Sequence, residues 1–219
     1  MWYKVKRIYQ WTNLVRPAWW TPWANTLLYI PMQTDLLDKV GTYTVTNTNV
    51  TLTTLSGVKC WYFNGSARLD TTVPAFSNKK HTLCFWYKDN WSANSTPIIS
   101  SNTSWYADWE CFRYSSSSDL QYIVFSSSST IATSTWLTKT NWNNIVFSWG
   151  DIYVNWVLKT TSSGTYATWH NFTVWWHAVG GSWLKFITWY MSEVIIESSV
   201  WTSTEVSNYY NNTKSNYWL

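Results

Sequence analysis

Apolar and polar residues alternate with a period of two over much of this chain. Thr42-Tyr43-Thr44-Val45-Thr46 and Asn49-Val50-Thr51-Leu52-Thr53 show that alternation with β-branched residues, the pattern of a half-buried strand. Leu120–Phe125 and Ile145–Phe147 are apolar enough for central strands. The pattern predicts strands at about 27–31, 42–53, 57–63, 66–69, 81–88, 97–101, 108–114, 120–126, 142–149, 151–159, 171–175 and 184–197. Ser115–Ser118 and Ser126–Thr130 read as polar loops at strand ends. Asn155-Trp156, between Ile152-Tyr153-Val154 and Val157-Leu158-Lys159, stands where a two-residue hairpin turn is expected.

One helix is legible. Thr202-Ser203-Thr204-Glu205 forms a capping box, and Val206, Tyr209 and Tyr210 follow at helical spacing on one apolar face. The helix should run from about 203 to 211 and lie against the sheets. The fold class is therefore all-β, a two-sheet antiparallel jelly-roll sandwich with one short C-terminal helix.

A length of 219 residues suits one such sandwich, and a hydrophobic share of 46% supplies a core. Residues 1–26 are basic and irregular, with Lys4, Lys6, Arg7 and Arg16 and prolines at 17 and 22. They read as an N-terminal arm, and 27–219 as the sandwich. No apolar run reaches the length of a membrane span, and Met1–Arg7 has no apolar core of a signal peptide. The net charge of +4 is scattered, without an RNA-binding motif, so a basic arm that docks on a larger assembly is preferred to a nucleic-acid contact.

Tryptophan departs from the ordinary: 21 Trp stand against 7 Gly. Average usage would give about 15 glycines in a chain of this length, and a turn-rich β protein needs them. The expectation is that one codon, UGA, has been read as Trp where the source organism reads Gly, as some uncultivated bacterial lineages and their viruses do. Trp23, Trp61, Trp91, Trp156, Trp183, Trp189 and Trp218 stand in glycine-like contexts. Trp86, Trp142 and Trp201 stand where a real tryptophan packs well.

Five segments in order resemble the concanavalin A-like lectin/glucanase domains, and the laminin-G-like group among them. Gly57–Ser66, with Phe63-Asn64-Gly65, is similar to the group's early strand and turn, and Thr82–Lys88 to its Phe-Trp strand. Trp142–Phe147 with Asp151–Trp156 resembles its Trp-led strand and Tyr-Val-Asn-Gly hairpin. Trp189–Glu197 and Ser203–Tyr210 resemble its closing strand and helix. The resemblance covers about 27–217 and departs mainly where Trp replaces the family's Gly. It implies two curved antiparallel sheets and, often, glycan recognition, but no particular ligand.

The chemistry visible in the chain is sparse. Glycosidases need two carboxylates about 5–9.5 Å apart. There are 11 acidic residues here and no Glu-x-Asp-x-Glu run. Asp108 and Glu110 could share a strand face, as could Glu193 and Glu197, although in the family the Glu of this last strand is usually structural. His81, His170 and His177 are dispersed, with no Cys-x-x-Cys, so no metal site is expected. Some laminin-G-like domains hold calcium, but Asp89 and Asp108 are isolated, and no cofactor is indicated. Cys60 and Cys84 read as buried small hydrophobes, with a bridge between them open if their strands are neighbours.

These observations favour a non-catalytic, adhesion-type domain that binds a cell-surface glycan or receptor. Trp105, Tyr106, Arg113 and Tyr114 form the candidate ligand-binding set, because sugar faces stack on aromatic rings beside polar groups. Lys6–Pro17 faintly resembles the leader of virion or tail-associated proteins from recoded viruses, which suggests a virion or cell surface. The alternatives are a structural capsid- or tail-decorating protein without a sugar site and a glucanase-type glycoside hydrolase.

Overall fold

The computed structural model describes residues 24–31, 35–64, 67–73, 80–89, 97–100, 110–114, 120–124, 129–134, 140–161, 173–174, 188–217 and 219. Among the described residues, fifteen strands precede one helix. They are β1 (Thr26–Ile30), β2 (Val45–Thr48), β3 (Thr51–Leu55), β4 (Val58–Asn64), β5 (Arg68–Thr71), β6 (Thr82–Asp89), β7 (Pro97–Ser100), β8 (Glu110–Tyr114), β9 (Leu120–Val124), β10 (Ser129–Ser134), β11 (Asn143–Ser148), β12 (Asp151–Val154), β13 (Val157–Thr161), β14 (Thr173–Val174) and β15 (Thr188–Glu197). The helix α1 (Ser203–Thr213) runs into a 3-10 turn at Lys214–Tyr217.

The strands make two antiparallel sheets. The first has the order β13-β12-β11-β6-β15-β4-β3, with β1 also on β15; the second is β10-β9-β8-β7-β14-β5-β2. The expected all-β sandwich with one C-terminal helix is thus the observed architecture. Leu28, Phe63, Phe85, Ile145, Phe147 and Val194 of the first sheet pack in one cluster with Leu69, Ile99 and Leu120 of the second.

The first sheet is buried on its other face as well. Cys60, Cys84, Trp86, Val146, Tyr153 and Ile195 meet Trp201, Val206, Tyr209, Tyr210 and Tyr217 of the C-terminal segment. This explains why Leu83 through Tyr87 are all buried: alternate residues of β6 serve two different cores. Trp86 stacks on Tyr217 with ring centroids 3.8 Å apart, and Tyr210 lies on the same ring at 5.8 Å. The capping box is present: Glu205 N donates to Thr202 Oγ1 at 3.2 Å, and Thr202 N donates to Glu205 Oε2 at 2.7 Å.

Several strand boundaries differ from the pattern for local reasons. The predicted strand 42–53 starts only at Val45, because the amides of Thr42 and Tyr43 donate to Asp38 Oδ2 instead of to a strand. It then breaks at Asn49, where φ is 60°, and the Asn47 side chain takes the place of a ladder by pairing with both Val50 N and Val50 O. The halves fall in different sheets, so this break is the corner of the sandwich. Predicted 151–159 divides at Asn155-Trp156. Ser129–Ser134, partly read as loop, is an edge strand paired with β9.

Cys60 and Cys84 are free thiols. Their strands are separated by β15, so the bridge left open by the sequence does not form. Burial pushes the Cys60 thiol up to about 12 and Cys84 well above its ordinary value, which keeps both protonated at neutral pH.

Removing the ring that joins sheet and helix should be costly. Trp86→Ala is expected to lower stability by about 3–5 kcal/mol, and Thr202→Ala by about 1 kcal/mol through loss of the cap. Denaturant melts of the full chain measure both.

Candidate functional site

Of the four expected ligand residues, Trp105 and Tyr106 lie outside the described residues. Positions 113 and 114 lie on β8, where Arg113 pairs with Gln121 and Tyr114 with Leu120. The side chains at 113 and 114 lie outside the described part of the structure.

Two of the four carboxylates considered for hydrolysis, Glu193 and Glu197, have other uses. Asp108 lies outside the described residues, and Glu110 opens β8 opposite Val124. Glu197 is fully buried on the helix side of β15. It accepts from Trp201 Nε1 at 2.6 Å, Thr26 Oγ1 at 2.9 Å and Ser199 Oγ at 3.2 Å. Burial raises its pKa, and those three donors oppose the rise. Glu193 accepts from the Tyr209 hydroxyl. Burial, and next the Glu193 charge, push Tyr209 and Tyr217 well above the usual phenol range.

A bulge explains why two polar residues serve the helix. The β15–β6 register shifts between Met191 and Glu193. Met191 and Val194 enter the inner core, while Ser192 meets the Tyr217 hydroxyl at 2.9 Å and Glu193 meets Tyr209. Both glutamates are therefore clamps for the C-terminal segment.

A second group, absent from the sequence reading, stands on the same sheet face beyond the helix. Register sets Thr51 opposite Tyr62, Tyr62 opposite Tyr190, and Tyr190 opposite Lys88. Four adjacent strands thus contribute one row: β3, β4, β15 and β6. The Tyr62 and Tyr190 rings lie 5.3 Å apart, tilted by 36°. Thr51 is exposed, and Tyr62, Tyr190 and Lys88 are half-buried. Lys88 has no ion-pair partner among the described residues, where the pairs are Lys39–Asp35 and Arg68–Asp70. Burial raises the Tyr190 pKa, followed by Tyr62 and Cys60, so its hydroxyl stays a neutral donor. Both tyrosines lie in the segments that carry the family resemblance; only the strand order β6-β15-β4-β3 brings them together.

No cluster of three or more potential metal ligands occurs among the described residues, and His170 and His177 lie outside them. No described helix is long and apolar enough to cross a membrane.

No family model matches the chain, and no curated protein matches its sequence. Solved structures match its fold. Domain 4 of an extracellular GH43 arabinanase from Geobacillus stearothermophilus, solved with arabinotriose, aligns at a TM-score of 0.67 and 15% identity, covering 84% of this chain and 97% of that one. The binding domain of Paraclostridial Mosquitocidal Protein 1 aligns at 0.68 and 11% identity, covering 85% of this chain and 52% of that one. A botulinum neurotoxin type C structure, from work describing cell entry that depends on two ganglioside molecules, aligns at 0.66 and 13% identity, covering 85% and 51%. The chain spans about half the length of these two toxin chains. The class defined is a two-sheet antiparallel sandwich of the kind found in these carbohydrate- and receptor-binding domains.

The buried Glu197 gives a pH signature. Its folded pKa is raised, so the folded state holds the proton at pH values where the unfolded chain has lost it. Its contribution is fully present below the unfolded value and is lost as pH rises through the folded one. Glu197→Gln should flatten that part of the stability profile. Thermal melts from acid to neutral pH test this; an unchanged pH slope would refute it.

Proposed function

We propose that this chain is a non-catalytic glycan- or receptor-binding domain of the concanavalin A-like, laminin-G-like group, acting at a cell or virion surface. The observation that carries the reading is the row Thr51–Tyr62–Tyr190–Lys88. A sugar ring has an apolar C–H face that packs on aromatic rings and a rim of hydroxyls that needs donors and acceptors. The two tyrosines supply both, Thr51 adds a hydroxyl, and Lys88 adds a cation suited to an acidic sugar. Glu193 and Glu197 are held by the C-terminal segment, which leaves that carboxylate pair unsuited to bond cleavage. The binding roles stated for the arabinanase domain and the toxin domains support the reading by analogy of fold. Residues 1–26 then serve as an arm that docks on a larger assembly.

We also propose that part of the tryptophan excess is a decoding effect, with UGA read as Trp where the source reads Gly. The composition of 21 Trp and 7 Gly motivates this.

The binding reading is tested with the full chain on a panel of arabino-oligosaccharides, gangliosides and other acidic and neutral glycans. At least one class should be retained. Tyr62→Ala and Tyr190→Ala should each weaken it by about tenfold, equivalent to about 1.4 kcal/mol. Lys88→Ala should affect acidic glycans more than neutral ones, and no reducing sugar should be released. Absence of all glycan binding, or binding indifferent to all three substitutions, would overturn the proposal.

A further inference from the structure

The β12–β13 hairpin is closed by Asn155 and Trp156, with φ of 49° and 66°. Val154 pairs directly with Val157, so this is a two-residue turn with both central residues left-handed. Asn is favoured at the first central position and Gly at the second. An L-residue in that region brings its Cβ against the neighbouring carbonyl, and for a bulky side chain it is a true outlier.

The chain contains its own comparison. In the β3–β4 hairpin, Leu55 pairs with Val58 across Ser56 and Gly57, with φ of 49° and 79°. In the β11–β12 hairpin, Ser148 pairs with Asp151 across Trp149 and Gly150, with φ of 39° and 100°. The second central position is glycine in both and tryptophan only at 156.

Trp156 is 50% exposed, beside Val157 at 42% and Leu158 at 49%. Trp149 also has positive φ, but its ring is half-buried against the inner core and edge-on to His81 at 6.3 Å. Trp61 and Trp189 have ordinary φ. Trp189 fills the core, stacked on Phe63 at 3.9 Å, which differs from the glycine-like context read from its sequence. The backbone itself therefore demands glycine at 156 and not at 61 or 189.

We infer that residue 156 of the native protein is glycine, so that the hairpin is an Asn-Gly turn and the apolar Trp156 edge is not a docking surface. This rests on the decoding proposal and is independent of the glycan proposal. Trypsin releases Thr140–Lys159 as one peptide, which holds positions 142, 149 and 156. Mass spectrometry of protein recovered from the encoding organism should show glycine at 156, with Trp142 retained. The Cys60–Arg68 peptide reports position 61, and Phe186–Lys214 reports 189. Tryptophan at 156 would overturn this assignment, and glycine at 61 or 189 in the same sample would show that decoding survives it. In the chain as written, Trp156→Gly should raise the melting temperature by about 2–8 °C, whereas Trp86→Gly should lower it. A drop or no change at Trp156→Gly would overturn the assignment.

Discussion

The structure depends on burying the first sheet on both faces. The central run Leu83–Tyr87 of β6 is apolar on both faces, so neither face can be left in water there, and among the described residues one helix covers the outer face. Leu83, Phe85 and Tyr87 meet the second sheet, while Cys84 and Trp86 meet the helix. The C-terminal segment is short, so it relies on rings more than on length. Tyr217 and Tyr210 lie on Trp86, and Trp201 lies on Tyr209 at 5.3 Å. Each aromatic residue buries a large area, which lets an 11-residue helix cover the centre of a sheet face.

The same requirement decides the roles of the acidic residues. Rings alone fix no register, whereas the buried hydrogen bonds of Glu197 and Glu193 to Trp201 and Tyr209 hold the segment in one place. A buried carboxylate is expensive to desolvate, and the raised pKa of Glu197 records that cost. A catalytic carboxylate also has a shifted pKa, but it faces a space where substrate can sit. Here the acceptor atoms are occupied by the protein's own donors.

Much of this was legible in the sequence, and the exceptions have identifiable causes. Period-two runs located most strands, and Thr202–Glu205 located the start of the helix because capping depends on neighbours in the chain. Ser129–Ser134 is not legible because its two apolar residues, Ile131 and Ala132, are adjacent and give no period of two. The run 42–53 looked continuous because nothing in its alternation reveals that Asn47 will bond to Val50 and turn the corner. The row Thr51–Tyr62–Tyr190–Lys88 was out of reach for another reason: it joins residues nearly 140 positions apart through a strand order that no local pattern encodes.

The tryptophans show how one residue type can agree or conflict with the same fold. An indole inside a layer adds contact area, as Trp86 and Trp201 do between sheet and helix. An indole at a left-handed turn position adds strain of about 1–2 kcal/mol, and at 156 half of the residue stays exposed. Set against a typical domain stability of about 5–15 kcal/mol, one such position is tolerable and several are not. Even buried indoles carry a cost in this chain: the Nε1 groups of Trp61, Trp86 and Trp142 are buried without an acceptor, whereas Trp201 has Glu197. An unpartnered N–H costs about 1–3 kcal/mol, which the stacking of Trp86 between Tyr210 and Tyr217 can offset and which the half-buried Trp61 has less packing to balance. Packing and hydrogen bonding agree at Trp201, trade against each other at Trp86, and at Trp156 the backbone conformation opposes the residue. A natural sequence is expected to keep such conflicts few. The turn at 155–156 is therefore where the written sequence and the fold disagree most plainly.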